Sequence, residues 1–133
     1  MSQGNVEIIK AMNAAINRGD WDAVLTYMAP TFKIDTSRDL GEWRGVYETP
    51  ARARRALEGF YEPWESWRIE TDEFIQISED IIVTRQTGYL WGRDGIEVTT
   101  RTSAVWTFRE GAVTEFAHYN ELEEALEAAR RRE

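Results

Sequence analysis

The chain has 133 residues, no cysteine, one histidine and a formal net charge of −8. That length suits one domain, residues 1–133, with a single core and a modest cavity. The acidic balance excludes nucleic-acid binding, which needs a basic footprint. Without cysteine there is no disulfide framework and no thiolate chemistry. A lone histidine without clustered ligands gives no metal site of the usual kind, and no organic cofactor is expected. No apolar run reaches membrane-span length, and the first ten residues lack a signal-peptide core. The expectation is a soluble, cytoplasmic protein with no membrane partner. Six Trp, five Tyr and five Phe supply rigid apolar area for a core or pocket.

Asn5 is placed to cap a first helix over 6–18, where Ile8, Ile9, Met12, Ala15 and Ile16 recur at helical spacing. Gly19 stops it. Asp20 caps a second helix, Trp21 to Met28, which Pro30 ends. Residues 32–36 read as a short strand, with Phe32 and Ile34 on one face and Lys33 and Asp35 on the other. A polar loop follows over 37–45, in which Leu40 and Trp43 need cover. Residues 45–48 read as a short edge strand. Thr49-Pro50 opens a third helix to about Tyr61, with Thr49 as cap and Pro50 where a missing N–H costs least.

Strand periodicity takes over in the second half. Residues 67–77 alternate as Trp67, Ile69, Thr71, Glu73, Ile75 and Ile77, and 81–91 form another strand. The central stretch is 96–120, two long strands joined by a turn at Arg109-Glu110-Gly111. Val98, Thr100, Thr102, Ala104, Trp106 and Phe108 share one face of it; Thr99, Arg101, Ser103 and Val105 share the other. The tail 121–132 is helical by propensity and packs outside the sheet or frays. Helices gathered early and a strand meander late argue for α+β, with helices on one face of a curved antiparallel sheet. Such a cone encloses a small-molecule pocket.

The chain resembles the SnoaL-like polyketide cyclases within the nuclear transport factor 2-like superfamily. The resemblance rests on Arg18-Gly19-Asp20-Trp21, on 32–38 (FKIDTSR), on Gly45-Val46-Tyr47, on Glu73-Phe74, on 105–111 (VWTFREG) and on 123–128 (EEALEA). It implies a cone-shaped α+β barrel. The same cone hosts isomerases, dehydratases, epoxide hydrolases, cyclases and plain binding domains, so fold alone does not set the reaction. Carried over from the ketosteroid isomerases, the base falls on Asp35. The two oxyanion-hole positions fall near Met12 and Ala104, which cannot donate. The resemblance also turns Thr100, Thr102, Ala104, Trp106, Phe116, His118 and Asn120 toward the cavity. It implies a homodimer through the outer sheet face, with Thr99, Arg101, Ser103 and Val105 in the contact.

His118 and Asp35 form the candidate catalytic pair. A carboxylate bonded to an imidazole orients it and fixes its tautomer, and the ring is then a general acid/base. The plainer reading stays open: a strand histidine that merely satisfies a rim position, and an aspartate that only binds Ser37 or Arg38. Arg85, mid-strand, either lines the pocket and holds an acidic group or pairs with Glu73. The expected function is cofactor-independent acid/base chemistry (isomerisation, cyclisation or hydration) on an apolar, ring-bearing compound. The alternatives are a non-catalytic ligand-binding domain and a dimeric interaction module.

Overall fold

The structure, a computed structural model, describes residues 2–39 and 43–132, with side chains from residue 4 onward. Leu40, expected to need cover, lies outside the described residues. The period-two stretch forms strands β5 (Glu97–Arg109) and β6 (Ala112–Tyr119), paired antiparallel with Trp106 opposite Phe116 and Ala104 opposite His118. Their turn places Glu110 at φ 53° and Gly111 at φ 78°. Two consecutive positive φ values match the right-handed twist of a hairpin, and glycine makes the second one inexpensive. Strands β4 (Ile81–Gly92) and β3 (Trp64–Ser78) continue the meander.

Before them come α1 (Ser2–Arg18), α2 (Trp21–Thr26), β1 (Met28–Asp35), β2 (Val46–Glu48) and α3 (Pro50–Tyr61); α4 (Leu122–Arg131) follows. The six strands make one curved, unclosed sheet in the order β2-β1-β6-β5-β4-β3. The first three helices pack on its concave face and close a core around Ile9, Met12, Phe32, Ile82 and Trp106. The fold is the expected α+β cone.

Several local expectations need correction. The sheet is not wholly antiparallel: β1 runs parallel to β6, Ile34 opposite Phe116 and Asp35 opposite Ala117. The two strands are linked through α3 and four strands, a long crossover that permits a parallel pairing. The second helix stops at Thr26, and Met28 already belongs to β1. Pro30 therefore sits inside a strand, where the register with β6 breaks between Met28 and Lys33. A bulge tolerates a residue with no N–H to give. Asn5 is not a cap. It lies within α1, buried, and its Nδ2 donates to the Glu79 carbonyl at 3.1 Å, tying the helix to the β3–β4 turn.

A bulge also defeats simple alternation in β3. The ladder to β4 shifts between Thr71 and Glu73. Trp67 and Ile69 face the concave core, yet beyond the shift Phe74 takes that face while Ile75 and Ile77 pack on the opposite side. One extra residue reverses the parity of everything after it. At this edge strand Asn17 accepts from the Ile69 N–H at 2.8 Å and donates to its carbonyl at 3.1 Å. An amide side chain thus occupies a peptide group that would otherwise invite another strand.

On the convex side, α4 lays Ala125, Ala128 and Ala129 against Ile81, Val83, Val105, Ala117 and Tyr119. The tail thus packs outside the sheet. Ser103 and Val105 are sealed beneath it at 1% and 0% exposure, so they cannot supply a dimer surface; Thr99 and Arg101 remain exposed. Among the described residues no helix is long and apolar enough to cross a membrane.

Candidate active site

Between the three N-terminal helices and the concave sheet face lies a cavity of about 470 Å³. Of the residues singled out from sequence, Met12, Thr100, Thr102, Trp106, Phe116, His118 and Asn120 line it. Three others do not. Ala104 has the right parity but is fully buried, and its methyl group stops short of the cavity wall. Arg85 is on the convex face, exposed, with its guanidinium 3.5 Å from Glu73; its strand neighbours Gln86 and Gly88 take the inner face instead.

Asp35 is the third correction. Phe32 and Ile34 fill the inner face of β1, so the carboxylate between them in parity points outward. It accepts from the Ser37 hydroxyl at 2.6 Å and amide at 3.0 Å, and from Arg38 at 3.4 Å. Partial burial alone would raise its pKa. The Ser37 hydroxyl and amide, with the Arg38 guanidinium, overcome this and hold it below the usual carboxylate value. Arg38 also lies 4.0 Å over the Tyr119 ring and donates to the His118 carbonyl at 3.4 Å. Asp35 therefore fastens the loop from outside and does not touch the imidazole.

The partner of His118 is Asp39. His118 Nδ1 lies 2.7 Å from Asp39 Oδ1, and the Trp43 indole N–H donates to Oδ2, also at 2.7 Å. The two side chains are 14% and 8% exposed. A carboxylate already accepting from the indole accepts on its other oxygen as well, which makes Nδ1 the protonated nitrogen of the ring. Nε2 then carries the lone pair. It has no hydrogen-bond partner among the described residues, and the ring lines the cavity. Trp43 stands edge-on to the imidazole with centroids 5.9 Å apart, and Phe116 stacks beside it at 6.1 Å.

The loop that delivers Asp39 is closed by Thr36. Its amide donates to the Gly45 carbonyl at 2.8 Å, its hydroxyl to the Trp43 carbonyl at 2.5 Å, and Asp39 N–H returns to the Thr36 carbonyl at 2.9 Å. Tyr47 adds a bond to the Trp43 carbonyl at 2.8 Å. These bonds turn the chain back inward four residues after Asp35. Asp39 was not legible from spacing, since nothing local relates it to a residue 79 positions away. The available signal was Trp43, an indole in a polar loop whose N–H needs an acceptor close by.

The floor of the cavity is also polar. Trp106 Nε1–H donates to Thr84 Oγ1 at 2.9 Å, the Thr84 hydroxyl to Gln86 Oε1 at 2.8 Å, and Gln86 Nε2 to Thr102 Oγ1 at 3.0 Å. On the helical wall, Tyr61 is buried, and burial pushes its phenol well above the ordinary value, so the hydroxyl keeps its proton. The rest of the lining is largely apolar, including Ile16, Val24, Leu57, Phe60 and Leu90. Among the described residues no group of three or more histidine and acidic side chains could hold a metal ion. The arrangement offers one oriented imidazole at the wall of a mainly apolar chamber, a setting for moving a proton on an apolar molecule.

Comparison with known proteins agrees with this fold. Among curated proteins no match is found. Several solved structures share the fold. TerC, crystallised with polyporic acid, superposes with a TM-score of 0.77 at 22% identity, over 93% of this chain and 98% of that one. An NTF2-like protein of unknown function from Burkholderia pseudomallei gives 0.76 at 21% identity, over 95% and 97%. RV0760c from Mycobacterium tuberculosis, in complex with estradiol-17beta-hemisuccinate, gives 0.76 at 13% identity, over 90% and 95%. The family model for the SnoaL-like domain matches residues 9–116, and the chain belongs to that family.

Proposed function

We propose that this chain is a small-molecule enzyme performing acid/base chemistry, an isomerisation, cyclisation or hydration, on an apolar ring-bearing compound. The observation that carries the reading is the Asp39–His118 pair, with Nε2 unpartnered among the described residues and the ring lining the cavity. His118 takes or gives the proton; Asp39 holds its tautomer and orientation and stabilises the imidazolium that forms. Trp43 holds Asp39 in turn. Two neighbours in fold carry ring compounds, polyporic acid and an estradiol ester, which supports a flat, largely apolar ligand here. The chemistry needs only side chains the chain already has.

The test is solvent deuterium exchange into a panel of polycyclic ketones, read by mass spectrometry. Wild type should exchange α-hydrogens of at least one member of the panel, and His118→Gln should lose that exchange while still binding the compound. Equal exchange by both proteins would remove His118 from the chemistry and favour a plain binding domain.

A further inference from the structure

The floor of the cavity carries a hydrogen-bond chain whose direction is fixed from one end. The Trp106 indole can only donate. Thr84, 1% exposed, receives that bond and must place its own hydrogen, which goes to Gln86 Oε1. Turning the Gln86 amide over would strand the Thr84 hydroxyl hydrogen in the core with no acceptor. The amide orientation is therefore set, and Gln86 Nε2 donates to Thr102 Oγ1.

Two hydrogens are left over at the end of this chain. The Thr102 hydroxyl has accepted from Gln86, and its own hydrogen has no acceptor among the described residues. The second hydrogen of the Gln86 amide is likewise unplaced. Both residues line the cavity, and they are direct cross-strand partners. Beside them the floor drops at Gly88, where a Cβ would stand only 2.7 Å from Thr100 Oγ1. Register places the pair near the imidazole: His118 is opposite Ala104, two residues along the same face from Thr102. Diagonal neighbours of this kind have Cα atoms roughly 7–8 Å apart.

We infer that Gln86 and Thr102 form an oxygen-binding subsite that takes a carbonyl group of the ligand, within reach of the ring His118 acts on. The two unplaced hydrogens favour an acceptor oxygen over a C–H edge. It rests on the proposed small-molecule reading and narrows the substrate class to carbonyl-bearing ring compounds. It also supplies donors that Met12 and Ala104 cannot.

A matched pair of probes isolates the carbonyl: 9-fluorenone and fluorene, two flat tricycles differing only at that position. Their dissociation constants are measured by equilibrium dialysis on wild type, Thr102→Val and Thr102→Ser. One neutral hydrogen bond is worth about fivefold. Wild type should favour fluorenone by at least that factor, Thr102→Ser should keep the preference, and Thr102→Val should reduce it while fluorene affinity holds. If wild type binds both probes equally, the subsite is wrong and the pocket reading stands. If neither probe binds, the small-molecule reading fails and the subsite with it. A Thr102→Val protein that binds both probes with an undiminished preference also overturns the assignment.

Discussion

The two faces of the central strands are built from alternating residues of the same sequence, and they solve opposite problems. On the convex face, Val83, Val105 and Ala117 pack dry against three alanines of α4. The packing beneath α4 is mainly apolar and close-fitting, and shape complementarity is most of what it needs. On the concave face, one residue along each strand, Gln86, Thr102 and His118 carry polar groups to a chamber of about 470 Å³, with Thr84 buried beneath them. Such groups are costly unless each is satisfied, and here a directed chain and a carboxylate hold most of them. Packing is the whole task of the first face, whereas the second joins the larger core to the proposed chemistry, and substitutions beneath α4 and at the imidazole should separate cleanly.

The largest expected effect is on the concave face. His118→Gln should cut turnover by about 10²–10⁴-fold, with the thermal midpoint nearly unchanged; steady-state kinetics on any compound that shows exchange checks this. Asp39→Ala should follow at about 10²-fold, because the ring loses its orienting partner and Trp43 its acceptor; an effect confined to KM would contradict an orienting role. On the convex face Val105→Ala should cost about 1–3 kcal/mol in urea denaturation and leave ligand affinity alone.

The smallest effect is at Asp35. Its folded pKa is lowered, so its stabilisation is fully present above the unfolded value of 3.8 and is lost as pH falls through the folded one. Asp35→Asn should therefore cost up to about 1 kcal/mol at neutral pH, with the gap closing below pH 3.8. A gap that persists in strong acid would mean the carboxylate charge is not what Ser37 and Arg38 read.

Much of this was readable in advance, for reasons tied to particular residues. The hairpin 96–120 was legible because its alternation is uninterrupted by any bulge before Thr107. Thr49-Pro50 announced α3, and Thr49 Oγ1 does accept from Arg52 N–H at 3.3 Å. In β3 the alternation was visible but its meaning was not, because the shift at Thr71/Glu73 leaves no compositional mark. The site was half legible. His118 stood out as the lone histidine of the hairpin and its inward face came from the family resemblance, whereas its partner sits in a loop with no period to read. Asp35 and Asp39 are four residues apart and chemically alike. What separates them is that Thr36 closes the loop between them and turns the chain inward.

The most direct measurement is the tautomer of His118 by long-range ¹H–¹⁵N correlation NMR, on the neutral ring at alkaline pH, in wild type and in Asp39→Ala. With one histidine in the chain the assignment is unambiguous. The expected result is a ring protonated at Nδ1 with a bare Nε2, a preference that relaxes once Asp39 is gone. A wild-type ring protonated at Nε2, or one indifferent to Asp39, would contradict the pair on which the proposed chemistry stands.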